Sequence, residues 1–186
     1  MKTKQLEVLA NEWENCTKCE LSQVRIKSVF GRGSINAKLV LIGQNPGKNE
    51  NEQGIPFIGT TGKILDKLLL EVGLSTDDYY ILNACLCHSP KNRKPTTEEV
   101  EACRPRLQSQ LTIIAPKIIV TLGASATEAV LNNSEPISKI RGKFLFWSGY
   151  SVMPTYHPSS TIYTPKNKDI LKEDLQMVSN LLKEGF

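Results

Sequence analysis

The chain has 186 residues, a formal charge of +4 and no apolar run approaching the roughly 18 residues that cross a bilayer, which excludes a spanning helix. Apolar content near the globular average and the lack of a Ser/Gly-rich linker point to a single domain, residues 1–186, with a sizeable core. Five cysteines leave one over if paired, and the opening MKTKQLEVLANEWENC lacks the unbroken apolar stretch of a signal peptide, so reduced thiols in a cytoplasmic protein are expected.

Cys16 and Cys19 come first, a CxxC within the polar segment ENCTKCELSQ. It lacks the βαβ surroundings of a thioredoxin-like redox site, so a ligand pair is expected. KLVLIG, Lys38 to Gly43, then reads as a buried strand and runs straight into GQNPG, Gly43 to Gly47, a tight loop presenting the amides of Gln44 and Asn45. KNENEQG reads as a solvated polar loop carrying Glu50. PFIG reads as a Gly/Pro-bounded loop that offers Phe57 no helix or strand face to pack on.

A helical pattern follows from Thr60, TTGKILDKLLLEVGL, and then the strand YYILNA, Tyr79 to Ala84, which carries Asn83. Cys85 and Cys87 come next, and after them a basic turn of Lys91, Asn92, Arg93 and Lys94. TTEEVEACRPRLQSQLTII shows a helix start, with Thr96 or Thr97 as N-cap and Glu98 and Glu99 where carboxylates meet open backbone amides; Cys103 lies on this helix. The strand KIIVTLG, Lys117 to Gly123, the helix ASATEAVLNN, the strand YSVMPTYHP, Tyr150 to Pro158, and a last helix over Asn167 to Glu184 complete the chain.

Near-continuous apolar strands alternating with helices require a sheet covered on both faces, hence an α/β fold, three layers α/β/α around a central, mainly parallel, four-stranded sheet. Ligands of such sheets bind beyond the C-terminal strand ends, where GQNPG, the turn after Asn83 and TYHPS all fall. Thiolates from CxxC and two distant positions suit either Zn²⁺ or an iron–sulfur cluster, and spacing does not choose. His157 is fixed by the stiff turn of Pro158, Ser159 and Ser160 behind it; His88 reads as a solvated loop residue. The mild positive charge is compatible with a polyanionic partner.

These motifs together resemble the uracil-DNA glycosylase superfamily, and specifically its iron–sulfur branch, family 4. That pattern runs CxxCxL, GEAPG, PFVGxAGxLLDxLL, KCRPPxNRxPxxxExxxCxPYL and HPSxLL. Here it reads CTKCEL from Cys16, GQNPG from Gly43, PFIGTTGKILDKLL from Pro56, NACLCHSPKNRKPTTEEVEACRPRL from Asn83 and HPSSTI from His157. The resemblance implies a DNA repair glycosylase that flips uracil or a related pyrimidine out of DNA and hydrolyses its N-glycosidic bond; a monomer is expected. It also implies a 4Fe-4S cluster on Cys16, Cys19, Cys87 and Cys103, with Cys85 as a spare. Asn45 stands in for the water-positioning residue of GQDPY and GINPG, the first motifs of families 1 and 2, because the acid of GEAPG is replaced by Gln44. Phe57 would stack on the base, Asn83 would read its edge, and His157 with the Gln44 backbone N–H would meet the O2 oxygen. Glu50 matches an acidic loop residue; Lys91, Arg93, Lys94, Ser159 and Ser160 would contact DNA. A catalytically weak uracil- or DNA-binding protein of the same fold and an iron–sulfur sensor are the alternatives.

Overall fold

The structure, a computed structural model, describes residues 1–185. In chain order the strands are β1 (Arg32–Gly33), β2 (Leu39–Gly43), β3 (Tyr79–Asn83), β4 (Ile118–Leu122), β5 (Leu145–Trp147) and β6 (Tyr150–Thr155). The helices are α1 (Lys2–Glu14), α2 (Lys48–Gln53), α3 (Thr60–Glu71), α4 (Thr97–Ile114), α5 (Ala124–Leu131), α6 (Ile137–Ile140), α7 (Ser160–Tyr163) and α8 (Lys166–Glu184).

Among the described residues the strands form one sheet in the order β1-β3-β2-β4-β6-β5. The inner four are parallel neighbours, as the apolar runs require, and β1 and β5 add an antiparallel edge on each side. With two and three residues, those edges are too short to leave a periodic signal in the sequence. The inner strands explain the layering directly, because successive residues of a strand face opposite sides. Leu39 and Leu41 of β2 join Leu65, Leu68 and Leu69 of α3 and Leu171, Leu175 and Val178 of α8 in one core. Val40 and Ile42 join Leu107, Leu111 and Ile114 of α4, Val130 of α5 and Leu6 of α1 in the other.

The chain leaves β2 to place β3 on one side and β4 on the other. The C-terminal end of β2 is therefore the switch point of the sheet, where a crevice opens. GQNPG sits there. The expected start of α4 is a full capping box: Thr96 Oγ1 accepts the Glu99 N–H at 3.3 Å, and Glu99 Oε2 accepts the Thr96 N–H at 2.8 Å. At the far strand, the fully buried Asp174 of α8 accepts from Thr155 Oγ1 at 2.6 Å and from Arg141 Nε at 2.9 Å, pinning the end of β6 just before His157.

Two local expectations are corrected. KNENEQ is a helix, α2, rather than a solvated loop, because Asn51 turns inward and its Oδ1 accepts the Ile26 N–H at 2.9 Å. Phe57 does have a surface to pack on: it is 8% exposed and belongs to the core on the α3 side.

Candidate active site and cysteine cluster

Beyond the strand ends lies a cavity of about 150 Å³ lined by Asn45, Glu50, Phe57, Asn83 and His157 among others. Five side chains that the sequence singled out separately thus line one cavity. The cavity opens into a wider mouth of about 590 Å³ that adds Gln44, Asn92, Ser159 and Tyr163.

Glycines make the cavity walls meet. A Cβ on Gly43 would lie 2.4 Å from Asn83 Oδ1 and 2.6 Å from Phe57 Cζ, so only glycine lets both side chains close over the end of β2. Phe57 has a left-handed backbone, φ 53, a conformation costly for an aromatic residue and held here by its surroundings. Arg32, on edge strand β1, donates from Nε to the Pro56 carbonyl at 2.9 Å and from Nη2 to that of Phe57 at 3.2 Å. Glu50 Oε1 accepts the N–H groups of both Ile58 and Gly59 at 3.0 Å. Gly62 packs its bare Cα against the Phe57 backbone, where a Cβ would fall 1.7 Å from the carbonyl oxygen. One Glu50 oxygen is therefore committed to this loop.

Asn83 ends β3 at 2% exposure, and its Oδ1 is buried with no hydrogen-bond partner among the described residues. Buried acceptors are rarely left bare, and leaving one so costs about 1–3 kcal/mol, so in a residue that lines a cavity such an atom is a candidate ligand contact. The rings of Phe57 and His157, which line the same cavity, stand 6.1 Å apart at 40°. His157 Nδ1 accepts the Ser159 N–H at 3.2 Å and lies 2.6 Å from Ser159 Oγ. That acceptor role fixes the neutral tautomer with the proton on Nε2. Burial pushes the imidazole down from the usual value of 6.5 to about 4. The ring is thus a neutral donor at physiological pH.

Two cations of the basic turn have partners within the protein. Arg93 is clasped by Glu99, Nη1 to Oε2 at 2.8 Å and Nη2 to Oε1 at 2.6 Å, and Lys94 pairs with Glu128. Lys91 is exposed and makes no ion pair among the described residues. Ser159 is occupied with His157, and the Ser160 N–H donates to the His157 carbonyl at 2.9 Å, leaving a buried Ser160 hydroxyl without a partner.

Behind β3, all five cysteines gather around Leu9, Trp13, Leu21 and Leu86. Among the described residues no three His, Cys, Asp or Glu side chains converge as one metal ion requires. The sulfur environment is strongly cationic. Arg25 donates to Cys87 Sγ at 3.3 Å and to the Cys16 carbonyl at 2.7 Å. Arg106, on α4 one turn after Cys103, is fully buried; its Nη2 donates to the carbonyls of Asn83 at 2.9 Å and Ala84 at 2.7 Å, its Nη1 to Gln110 Oε1 at 2.6 Å, and its Nε has no partner. No ion pair among the described residues involves Arg106. Hydrogen bonding with Cys85, and the Arg106 charge beside it, hold the buried Cys103 thiol below its ordinary value.

Sequence reasoning missed Arg32, Ser89 and Arg106. Arg106 was within reach, since a position three residues after a ligand on a helix faces the same way.

Comparison with known proteins gives a consistent result. The profile of the uracil DNA glycosylase superfamily matches residues 30–179. A type-4 uracil-DNA glycosylase of Saccharolobus solfataricus is 40% identical over 95% of this chain and 86% of its own length. One of Thermotoga maritima is 36% identical over 96% and 95%. A type-5 uracil-DNA glycosylase of Pyrobaculum aerophilum is 30% identical over 80% of each chain.

The state of His157 is directly testable. A folded value below the unfolded one means that the neutral ring's contribution to stability is complete above about 6.5 and is lost as pH falls through about 4. Nitrogen chemical shifts recorded from pH 8 to 5 are expected to show His157 neutral and protonated on Nε2 throughout. A His157 titration midpoint near 6.5 contradicts the buried-donor assignment.

Proposed function

This chain belongs to the uracil-DNA glycosylase superfamily, and we propose that it is a monofunctional glycosylase that removes uracil or a closely related pyrimidine from DNA, leaving an abasic site. The observation that carries the reading is the bare Oδ1 of Asn83 beside the neutral His157 donor in one small cavity.

A base inside a duplex is out of reach, so the nucleotide must first leave the stack and enter the cavity. Phe57 then lies against its face. Asn83 Oδ1 accepts the N3–H of uracil and Nδ2 donates to O4; cytosine presents an acceptor and an amino group at those places and leaves both amide atoms mismatched. As the C1′–N1 bond stretches, the sugar gains cationic character and negative charge spreads onto O2. His157 Nε2–H and the Gln44 N–H meet that oxygen, and because His157 is neutral it stabilises the anion by hydrogen bonding. Asn45 orients the water that attacks C1′, and the unengaged Glu50 oxygen stands near the developing cation.

Cys16, Cys19, Cys87 and Cys103 would hold a 4Fe-4S cluster. Two features fit it. A fully buried guanidinium without a carboxylate needs a counter-charge, which a thiolate-ligated cluster carries. The sulfurs also share one hydrophobic pocket, and thiolates are the ligands that such a cluster takes. When bound, the cluster supplies cross-linking and negative charge; the hydrolysis draws on none of its redox chemistry. DNA outside the cavity is met by Lys91 and the mouth of the pocket, while Arg93 holds the turn to α4.

Single-turnover excision tests the reading. Oligonucleotides with one uracil should yield alkali-labile abasic sites, and His157→Ala should slow that step by about 10² or more while uracil-DNA binding is kept. Binding without cleavage by the parental protein favours the weak-binder alternative, and a parental rate in His157→Ala removes His157 from the mechanism.

Iron analysis tests the cofactor. The purified protein is expected to hold about four iron per chain, lost on changing any one of Cys16, Cys19, Cys87 or Cys103. One Zn²⁺ per folded chain contradicts the cluster.

A further inference from the structure

The segment that follows Cys87 reaches back to the water loop at two points. His88 donates from Nδ1 to the Pro46 carbonyl at 2.8 Å, and Asn45 Nδ2 donates to Ser89 Oγ at 3.1 Å. Ser89 is fully buried, whereas Asn45 is half-buried and lines the cavity. No other hydrogen bond among the described residues engages the Asn45 side chain. An asparagine χ2 is broad and nearly two-fold, so a single amide facing a cavity has little preference for presenting oxygen or nitrogen unless a neighbour decides it. The Ser89 contact anchors the amide, and with Nδ2 on Ser89 Oγ, as it lies here, the oxygen is the free end. Both residues also stand where the family 4 pattern has side chains incapable of hydrogen bonding, Ala for Asn45 and Pro for Ser89, so the two departures meet in space.

We propose that Ser89 is a positioning residue for the hydrolytic water, acting through Asn45. This rests on the water-orienting role of Asn45 given above. Ser89 Oγ holds Nδ2, and Asn45 Oδ1 accepts a hydrogen bond from the water. The water oxygen bonds C1′ as C1′–N1 breaks; one water proton passes to solvent, and the departing anion takes one from solvent. Ser89 lies two residues after Cys87 and is held by the same loop, so the anchoring of that loop at the cysteines also sets the orientation of the water.

A double-mutant cycle in single-turnover excision, on the protein with its metal content matched between variants, tests this. Ser89→Ala is expected to slow excision about 10-fold with uracil-DNA affinity unchanged, and Ser89→Ala with Asn45→Ala to be no slower than Asn45→Ala alone. Ser89→Thr and Ser89→Val differ only in the hydroxyl and keep the test decisive if Ser89→Ala folds poorly: the Thr variant should retain most of the parental rate and the Val variant should lose it. Multiplicative effects in the cycle, or equal rates for Thr and Val, overturn the proposal while leaving the role of Asn45 standing. A parental rate in Asn45→Ala overturns both, and is told apart because it appears in the single variant.

Discussion

The active cavity depends on one absent atom group, the side chain that Gly43 does not have. At the end of β2 the Asn83 amide and the Phe57 ring both close over this Cα, each within 2.6 Å of where a Cβ would stand. Everything that orients those two groups is built around that approach. Arg32, Glu50 and Gly62 hold Phe57 in a left-handed conformation, and Arg106 holds the carbonyls of Asn83 and Ala84. The result is a buried acceptor without a hydrogen-bond partner, a local cost that the proposed imide would offset.

Electrostatics divides the molecule into two compartments back to back. On the cavity side His157 is buried and neutral, and in the proposed reaction it would face the leaving group as an uncharged donor. On the cysteine side Arg25 and Arg106 supply positive charge to the sulfurs. Arg106 belongs to both, since its donors reach the strand end that carries Asn83 and its uncompensated charge faces the thiols. Whatever fixes the sulfurs also fixes the backbone from which the Asn83 amide projects.

Much of this was legible in the sequence for definite reasons. The inner strands are apolar on both faces, so their positions and the three layers follow from composition alone, and parallel strands carry their loops to one end. That places Asn45, Asn83 and His157 together without knowledge of contacts. Phe57 and Glu50 needed the family pattern, because KNENEQ hides its inward face behind polar residues. The pairing of Arg93 with Glu99 was not foreseen, because Glu99, which caps α4, does two jobs with one carboxylate. Arg32 could not be seen, since a two-residue edge strand has no period, and Ser89 is marked only by an interaction between loops 44 residues apart.

The claim on which the rest turns is that the bare oxygen of Asn83 reads the N3–H of an imide. Inhibition of excision by free bases measures that contact without any change to the protein. Uracil should inhibit measurably, whereas 3-methyluracil, which removes the donor and puts a methyl group against a buried acceptor, should bind at least about 10-fold more weakly. Equal inhibition by the two bases would contradict the account and assign the Asn83 oxygen to some other partner.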